Sequence, residues 1–155
     1  MSAIETLMAT ELISATPGDS VLDVADRMAR NRVGAVLVVD GGRLVGLFSE
    51  RDLLIRVLGA GQDPRTTTVG SVATADVVTI DADQSVRSVV EVFRTHRFRH
   101  LPVLRGGRAV GILSTRDFLA FVVDGLERYV EKARYDQDLA AGADPYDHVG
   151  GSYGR

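Results

Sequence analysis

Apolar residues recur at helical spacing in two separate stretches of the chain. In both, the spacing is i, i+3, i+4 and i+7, which is typical of a helix with one buried face. The two sets are Val21, Val24, Ala25 and Met28, and Val86, Val89, Val90 and Phe93. Ser20 and Ser85 precede them as candidate N-caps. The pattern therefore predicts two amphipathic helices, which end near Arg30 and Thr95.

Two almost continuously apolar runs follow these helices. They read "AVLVVDGGRLVGLF" from Ala35 and "LPVLRGGRAVGIL" from Leu101, and each carries a Gly-Gly pair at its middle. A tight hairpin turn needs positive φ angles, which glycine adopts easily, so each run predicts two strands joined by a hairpin. Because the runs are almost continuously apolar, we expect these strands to be buried on both faces. Shorter extended segments at Leu12–Thr16 and Val77–Asp81 predict one more strand ahead of each helix.

The stretch "VGLFSERDLL" from Val45 returns as "VGILSTRDFL" from Val110, at an offset of 65 residues. Between Gly41 and Leu54, nine of fourteen positions are identical to their counterparts. A second helix is predicted after Ser49 and Ser114, and in the first copy it ends near Gly59 to Gly61. The fold class predicted is mixed α/β, with two β-α-β-β-α repeats in tandem and pseudo-twofold symmetry.

The predicted domain limits follow from this repeat. Residues 4–62 form repeat 1 with an N-terminal segment, 63–76 a linker and lead-in, and 77–134 repeat 2 with a C-terminal helix. Residues 135–155, rich in Gly, Asp, Ala and Tyr without periodicity, are predicted to be a disordered tail. Since a unit of about 60 residues is marginal alone, we expect the repeats to share a core.

Composition narrows the function classes. The 155 residues are 45% hydrophobic and 25% charged, as in an ordinary globular protein, and include no cysteine, which excludes disulfides and thiolate metal sites. No apolar run reaches the length of a membrane span and residues 1–10 lack signal-peptide features, so a soluble, cytoplasmic protein is expected. A net charge of −3 argues against a general nucleic-acid binder.

A catalytic function is not supported by the sequence. His96 and His100 are four residues apart, but Pro102 and the following strand argue against a helix that would present both to a metal. Ser49 and Ser114 have no predictable histidine base that would activate a nucleophile. We therefore predict no enzyme, no metal site and no catalytic cofactor.

The repeated Ser-x-Arg-Asp turn carries the candidate chemistry. Ser49 and Ser114 lie where a strand meets a helix, and capping of the helix would account for either serine alone. The same place suits an anion, with Arg51 or Arg116 as a charged partner for phosphate. An ionised carboxylate has two acceptor oxygens, so Asp52 or Asp117 suits a ribose diol. Because capping does not require arginine, the joint recurrence favours a nucleotide site.

The stretches "GAVLVVDGGRLVGLFSERDLL" and "RHLPVLRGGRAVGILSTRDFL" resemble the C-terminal halves of two CBS domains, named after cystathionine beta-synthase. The tandem arrangement is similar to the two-repeat CBS proteins of bacteria. The resemblance implies two clefts between paired repeats, a homodimer, and a regulatory sensor that binds AMP, ADP, ATP, NAD or S-adenosylmethionine without catalysis.

The resemblance also implies that each cleft takes residues from both repeats. One cleft would combine Ser49, Arg51 and Asp52 with Val78, Thr79, Ile80, Arg99 and His100. The other would combine Ser114, Arg116 and Asp117 with Ile13, Ser14, Thr16, Gly34 and Ala35. The cluster "RTHRFRH" from Arg94 is either a solvated helix end or a ligand-binding patch. On the second interpretation, the Asp52 cleft would hold the more highly charged ligand.

The helix after Leu119 leaves two interpretations open. The stretch "AFVVDGLERYVEKARY" mixes apolar and charged residues, so it either packs on its own domain or contacts a second copy or a protein partner. The alternative to nucleotide binding is therefore a ligand-free dimeric module that docks an unknown protein through this helix. Direct nucleic-acid binding through the arginines is a third, weaker alternative.

Overall fold

A computed structural model of the chain describes residues 2–142. The helices are α1 (Ala3–Leu7), α2 (Val21–Asn31), α3 (Glu50–Asp52), α4 (Val69–Val72), α5 (Val86–Thr95) and α6 (Thr115–Ala140). The strands are β1 (Ser14–Ala15), β2 (Ala35–Asp40), β3 (Arg43–Ser49), β4 (Ile80–Asp81), β5 (His100–Arg105) and β6 (Arg108–Ser114). A π-helical segment, Leu53–Leu58, continues α3.

Two sheets of identical topology confirm the predicted tandem repeat. In each, a short strand lies parallel to the central strand, and that strand forms an antiparallel hairpin with the next: β1-β2-β3 and β4-β5-β6. The hairpin register shifts after Val38 in the first sheet and after Val103 in the second, which are 65 residues apart. The mixed α/β class with pseudo-twofold symmetry is therefore confirmed.

The glycine pairs make the predicted hairpin turns. Gly41 and Gly42 have φ of +56° and +79°, and Gly106 and Gly107 have +56° and +78°. Two consecutive positive φ angles are what a two-residue hairpin turn requires, and glycine adopts them without steric cost. The turns fix which faces of β2 and β5 point into the interior.

The N-terminal segment of each repeat forms backbone hydrogen bonds with the sheet of the other repeat. Ala9, after α1, exchanges backbone hydrogen bonds with Ile112 of β6 at 2.9 and 3.0 Å. Thr74, 65 residues later, does the same with Leu47 of β3, at 2.9 and 3.0 Å. Reciprocal exchange ties the two repeats into one body, as expected for units too small to be stable alone.

The first repeat's core shows the same exchange. Its buried side chains come from β1, α2, β2, β3, the π-helical segment and α4: Ala15, Val21, Val24, Met28, Val36, Val38, Phe48, Val57, Val69 and Val72. Val69 is fully buried although it lies in the stretch that the sequence assigned to a linker. Helix α4 is thus the counterpart of α1 at the start of the second repeat.

Three other features differ from the sequence-based predictions. The predicted strands at Leu12–Thr16 and Val77–Asp81 are each two residues long. The helix after Ser49 turns into a π-helix, with bonds from Gly59 N to Leu54 O and from Gln62 N to Val57 O. Helix α6 continues to Ala140, so residues 135–140 are helical and not part of a disordered tail; residues 143–155 lie outside the described part.

Among the described residues, 2–117 form one compact unit and 118–142 belong to another. No helix among the described residues is long and apolar enough to cross a membrane.

Candidate functional site

Residues of both repeats line a cavity of about 710 Å³ around Asp117, which we call the Asp117 cavity. Its polar side chains come mainly from three places: the start of α6, the start of β5, and the end of α2. They are Glu11, Arg32, Glu50, Arg99, His100, Ser114, Thr115, Arg116 and Asp117. The apolar part of the wall includes Ile13, Val33, Ala35, Leu37 and Ile112.

A second cavity, of about 400 Å³, surrounds Asp52, and we call it the Asp52 cavity. The first repeat contributes its strand-to-helix turn, and the second contributes the segments before β4 and β5. The lining residues are Leu47, Ser49, Arg51, Asp52, Ile55, Arg56, Thr74, Asp76, Val77, Val78, Arg97, Phe98 and His100.

In both cavities the serine caps the following helix and contacts the aspartate. Ser49 Oγ accepts the Asp52 N–H at 3.2 Å and donates to Asp52 Oδ2 at 3.0 Å. Ser114 Oγ accepts the Asp117 N–H at 3.0 Å and donates to Asp117 Oδ2 at 2.7 Å. The cap fixes the position of each carboxylate, so capping and ligand binding are compatible uses of the same turn.

The two carboxylates differ in how much of each remains available. Asp52 Oδ2 also accepts the backbone N–H of Ser49 at 2.9 Å, and Asp52 Oδ1 lies 3.6 Å from Arg56 Nε. Asp117 Oδ1 has no hydrogen-bond or ion-pair partner among residues 2–142. The Asp117 carboxylate is therefore free to accept hydrogen bonds on one oxygen, whereas both oxygens of Asp52 are engaged.

Both repeats match the family model of the CBS domain, over residues 4–59 and 69–124. The chain belongs to the CBS-domain family. The CBS domain-containing protein YhcV of Bacillus subtilis (strain 168) is 28% identical over 117 residues, which cover 76% of this chain and 83% of YhcV. The chain is thus a tandem CBS-domain pair, a regulatory module.

Solved structures of CBS-domain proteins share its architecture. One, with CBS domains, from Burkholderia ambifaria MC40-6 has a TM-score of 0.73 at 32% identity, covering 80% of this chain and 95% of that one. The CBS-domain pair of protein MJ0100, solved with 5′-methylthioadenosine and S-adenosyl-L-methionine, has a TM-score of 0.71. It is 21% identical and covers 79% of this chain and 96% of that one, so its likeness shows the fold alone.

Part of the predicted crossed pairing is visible in the cavities of this CBS pair. Ile13, Gly34 and Ala35 line the cavity of Ser114, Arg116 and Asp117, and Val78 and His100 line the cavity of Ser49, Arg51 and Asp52. Four predicted residues line neither of these two cavities: Ser14, Thr16, Thr79 and Ile80.

Hydrogen bonds account for two of these four positions, and burial accounts for a third. Ser14 O accepts Arg27 Nη1 at 2.6 Å, and Thr16 donates its N–H and its hydroxyl to Asp19 at 3.0 and 2.9 Å. Ile80 is buried in β4. These hydrogen bonds and this burial cannot be read from the position of a residue in the sequence.

Arg99 lies in the other cavity from the one predicted for it. It lines the Asp117 cavity and not the Asp52 cavity, where the family resemblance had placed it. The prediction of a more highly charged ligand in the Asp52 cavity rested on Arg99 and His100, and only His100 lines that cavity. The cluster "RTHRFRH" is shared between the cavities instead, since Arg97 lines the Asp52 cavity and His100 lines both.

His100 lies where the two cavities of the CBS pair meet. A Cβ on Gly34 would lie 3.4 Å from His100 Nε2 and 3.5 Å from Glu50 Oε1, so both side chains border Gly34. Burial lowers the pKa of His100, and the nearby Arg99 cation lowers it further, while Glu50 and Asp117 oppose the shift. The lowered pKa favours the neutral form of His100.

Sequence reasoning missed several cavity residues, and one pair carried a readable signal. Arg32 lines the Asp117 cavity and Arg97 the Asp52 cavity, each from the repeat that does not supply the aspartate. They are 65 residues apart, so their recurrence could have marked them as it marked the aspartates. Glu50 and Arg56 do not recur, since their counterparts are Thr115 and Phe121. Among residues 2–142, no group of three or more potential metal ligands comes together.

Proposed function

We propose that this CBS-domain pair is a regulatory sensor that binds an adenosine-containing ligand in the Asp117 cavity and performs no chemistry on it. AMP, ADP, ATP, NAD and S-adenosylmethionine are the candidate ligands. The observation that carries the proposal is the Asp117 carboxylate, which Ser114 holds in place through one oxygen while the other stays free. The wall opposite it is built by the other repeat.

The cavity offers a complement for each part of such a ligand. Asp117 can accept hydrogen bonds from ribose hydroxyls, and Ile13, Val33 and Leu37 provide an apolar wall for adenine. Arg32, Arg99 and Arg116 supply cations for phosphate. The volume of about 710 Å³ is within the range of small-molecule sites. The adenosine ligands of the MJ0100 pair, which shares the fold, support this ligand class.

Sensing would follow from the crossed construction of the cavity. A ligand held by Asp117 and Arg116 on one side and by Arg32 and Gly34 on the other bridges the two repeats. It favours the relative orientation of the repeats in which both sets of contacts form. A regulated partner would respond to that shift in population.

The test is calorimetric titration of the full chain with each candidate ligand, followed by Asp117→Asn. This change keeps the shape and the backbone N–H that Ser114 caps, but removes the charge, so affinity should fall about tenfold or more, the usual weight of a charged hydrogen bond. Asp124→Asn, an exposed change outside both cavities, is the matched control and should leave affinity unchanged. Unchanged affinity in Asp117→Asn, or no ligand bound by the wild type, would refute the proposal.

We further propose that α6 mediates self-association. Four of its exposed apolar side chains are Leu119, Val123, Leu126 and Val130, spaced by 4, 3 and 4 residues. At 100° per residue they fall within an arc of about 60° on the helix, the seam expected of a coiled coil. A second copy of the chain presents the same seam, so the two are self-complementary.

A further inference from the structure

Arg56 occupies the carboxylate that would otherwise make the Asp52 cavity a second adenosine site. Its Nε lies 3.6 Å from Asp52 Oδ1, and its Nη1 donates to Val72 O at 3.1 Å. The guanidinium is thus held at two points, by the aspartate and by a backbone carbonyl of α4. It lines the Asp52 cavity from this position.

The other oxygen of Asp52 is also engaged. Asp52 Oδ2 accepts both the N–H and the hydroxyl of Ser49, at 2.9 and 3.0 Å, and the Asp52 side chain is 14% exposed. A ribose diol donates two hydrogen bonds, and a carboxylate oxygen accepts about two. Oδ1 is the oxygen left for a diol, and Arg56 lies against it.

The second repeat carries no equivalent of this arrangement. The residue 65 positions after Arg56 is Phe121, which cannot pair with a carboxylate. Asp117 Oδ1 has no partner among the described residues, and the Asp117 cavity is larger, about 710 against about 400 Å³. Two turns with the same serine, arginine and aspartate are therefore chemically unequal.

We propose that Arg56 closes the Asp52 cavity to adenosine ligands, so that the chain binds one such ligand, at Asp117. This inference rests on the proposed function. A ribose can enter the Asp52 cavity after Arg56 has left Asp52 Oδ1. The π-helical segment that carries Arg56 is a rare conformation found often at functional sites.

The experiment is calorimetric titration of the full chain with AMP. The wild type should bind one AMP per chain, and Arg56→Met, which keeps an unbranched stem but removes the charge, should bind two. The new site should be at least about tenfold tighter than any residual wild-type binding there, since a charged acceptor becomes free. Arg56→Gln, which keeps a donor for Val72 O, serves if Arg56→Met unfolds.

Two further variants assign the effect. Asp52→Asn added to Arg56→Met should return the stoichiometry to one, and Arg87→Met, an exposed arginine outside both cavities, should leave it at one. One AMP bound by folded Arg56→Met and Arg56→Gln, or two by the wild type, would overturn the role of Arg56 and leave the proposed function standing. If the wild type binds AMP too weakly to measure, the same titrations are made with ADP, ATP, NAD and S-adenosylmethionine, and no binding of any of the five would overturn the proposed function itself.

Discussion

At the residue scale, the repeated turn shows how one hydroxyl can both cap a helix and position a neighbouring carboxylate. Ser49 and Ser114 cap a helix, and the same hydroxyls position the neighbouring aspartates. The sequence was sufficient to single out the serine and aspartate of both turns as candidate site residues, because an exact recurrence is visible without coordinates. It did not predict which carboxylate is free, because that depends on Arg56, whose counterpart is a phenylalanine.

His100 should make folding stability depend on pH. Its pKa is lowered in the folded protein from the ordinary 6.5, chiefly by burial. Between the lowered value and 6.5 the unfolded chain binds a proton that the folded chain does not, so stability should fall as pH drops through this range. We expect urea unfolding of His100→Gln to change less between pH 7.5 and 5.5 than that of the wild type.

The control for this experiment is His96→Gln, which removes an exposed histidine. An equal loss of stability in His100→Gln and wild type would show that other groups carry the effect.

At the element scale, hydrophobic periodicity located the long helices and both hairpins, but not the short elements. Helix α4 has four residues, too few for a periodic signal, and its place is set by contact with other parts of the chain. The two-residue strands β1 and β4 are likewise defined by pairing with β2 and β5. These strands therefore depend on tertiary contacts, which the local sequence does not show.

Gly70 in α4 gives this contact a measurable consequence. A Cβ there would lie 2.8 Å from Pro17 Cβ and 2.9 Å from Pro17 O, and the backbone oxygen cannot move aside easily. Alanine gains about 0.5–1 kcal/mol in helix propensity, but overpacking costs about 1–3 kcal/mol. We therefore expect Gly70→Ala to lower the free energy of unfolding in urea titrations.

Gly125 in α6 is the matched control, because an added Cβ meets nothing within 4 Å. Gly125→Ala should be neutral or stabilising. A Gly70→Ala protein with the wild-type unfolding midpoint would mean that Pro17 yields more readily than the geometry indicates.

At the scale of the whole molecule, the chain combines a CBS-domain pair with a helix whose apolar side chains are exposed. The pair is held together by reciprocal exchange of N-terminal segments, and its cavities need both repeats. Among the described residues of α6 none is buried, although Leu119, Val123, Leu126 and Val130 share one face. Self-association would remove this face from water.

We therefore expect Leu126→Lys to weaken the self-association proposed for the wild type, as measured by sedimentation equilibrium across a concentration series. A lysine in the seam places a charge where an apolar contact would form. Leu139→Lys is the matched control, because Leu139 is exposed on the same helix but about 140° away from Leu126 around its axis. A monomeric wild type, or equal effects of both substitutions, would contradict self-association through this face.

The sequence by itself determined the tandem repeat, the strand and helix order, the hairpin turns and the candidate Ser-x-Arg-Asp chemistry. Periodicity and glycine pairs are local patterns, and the repeat appears when the chain is compared with itself, so none of them needs coordinates. The tertiary structure alone decided that Arg99 lines the Asp117 cavity, that Arg56 engages Asp52, and that α4 joins the core of the first repeat. Each of these contacts joins side chains from different segments of the chain, so it depends on how the segments pack in three dimensions.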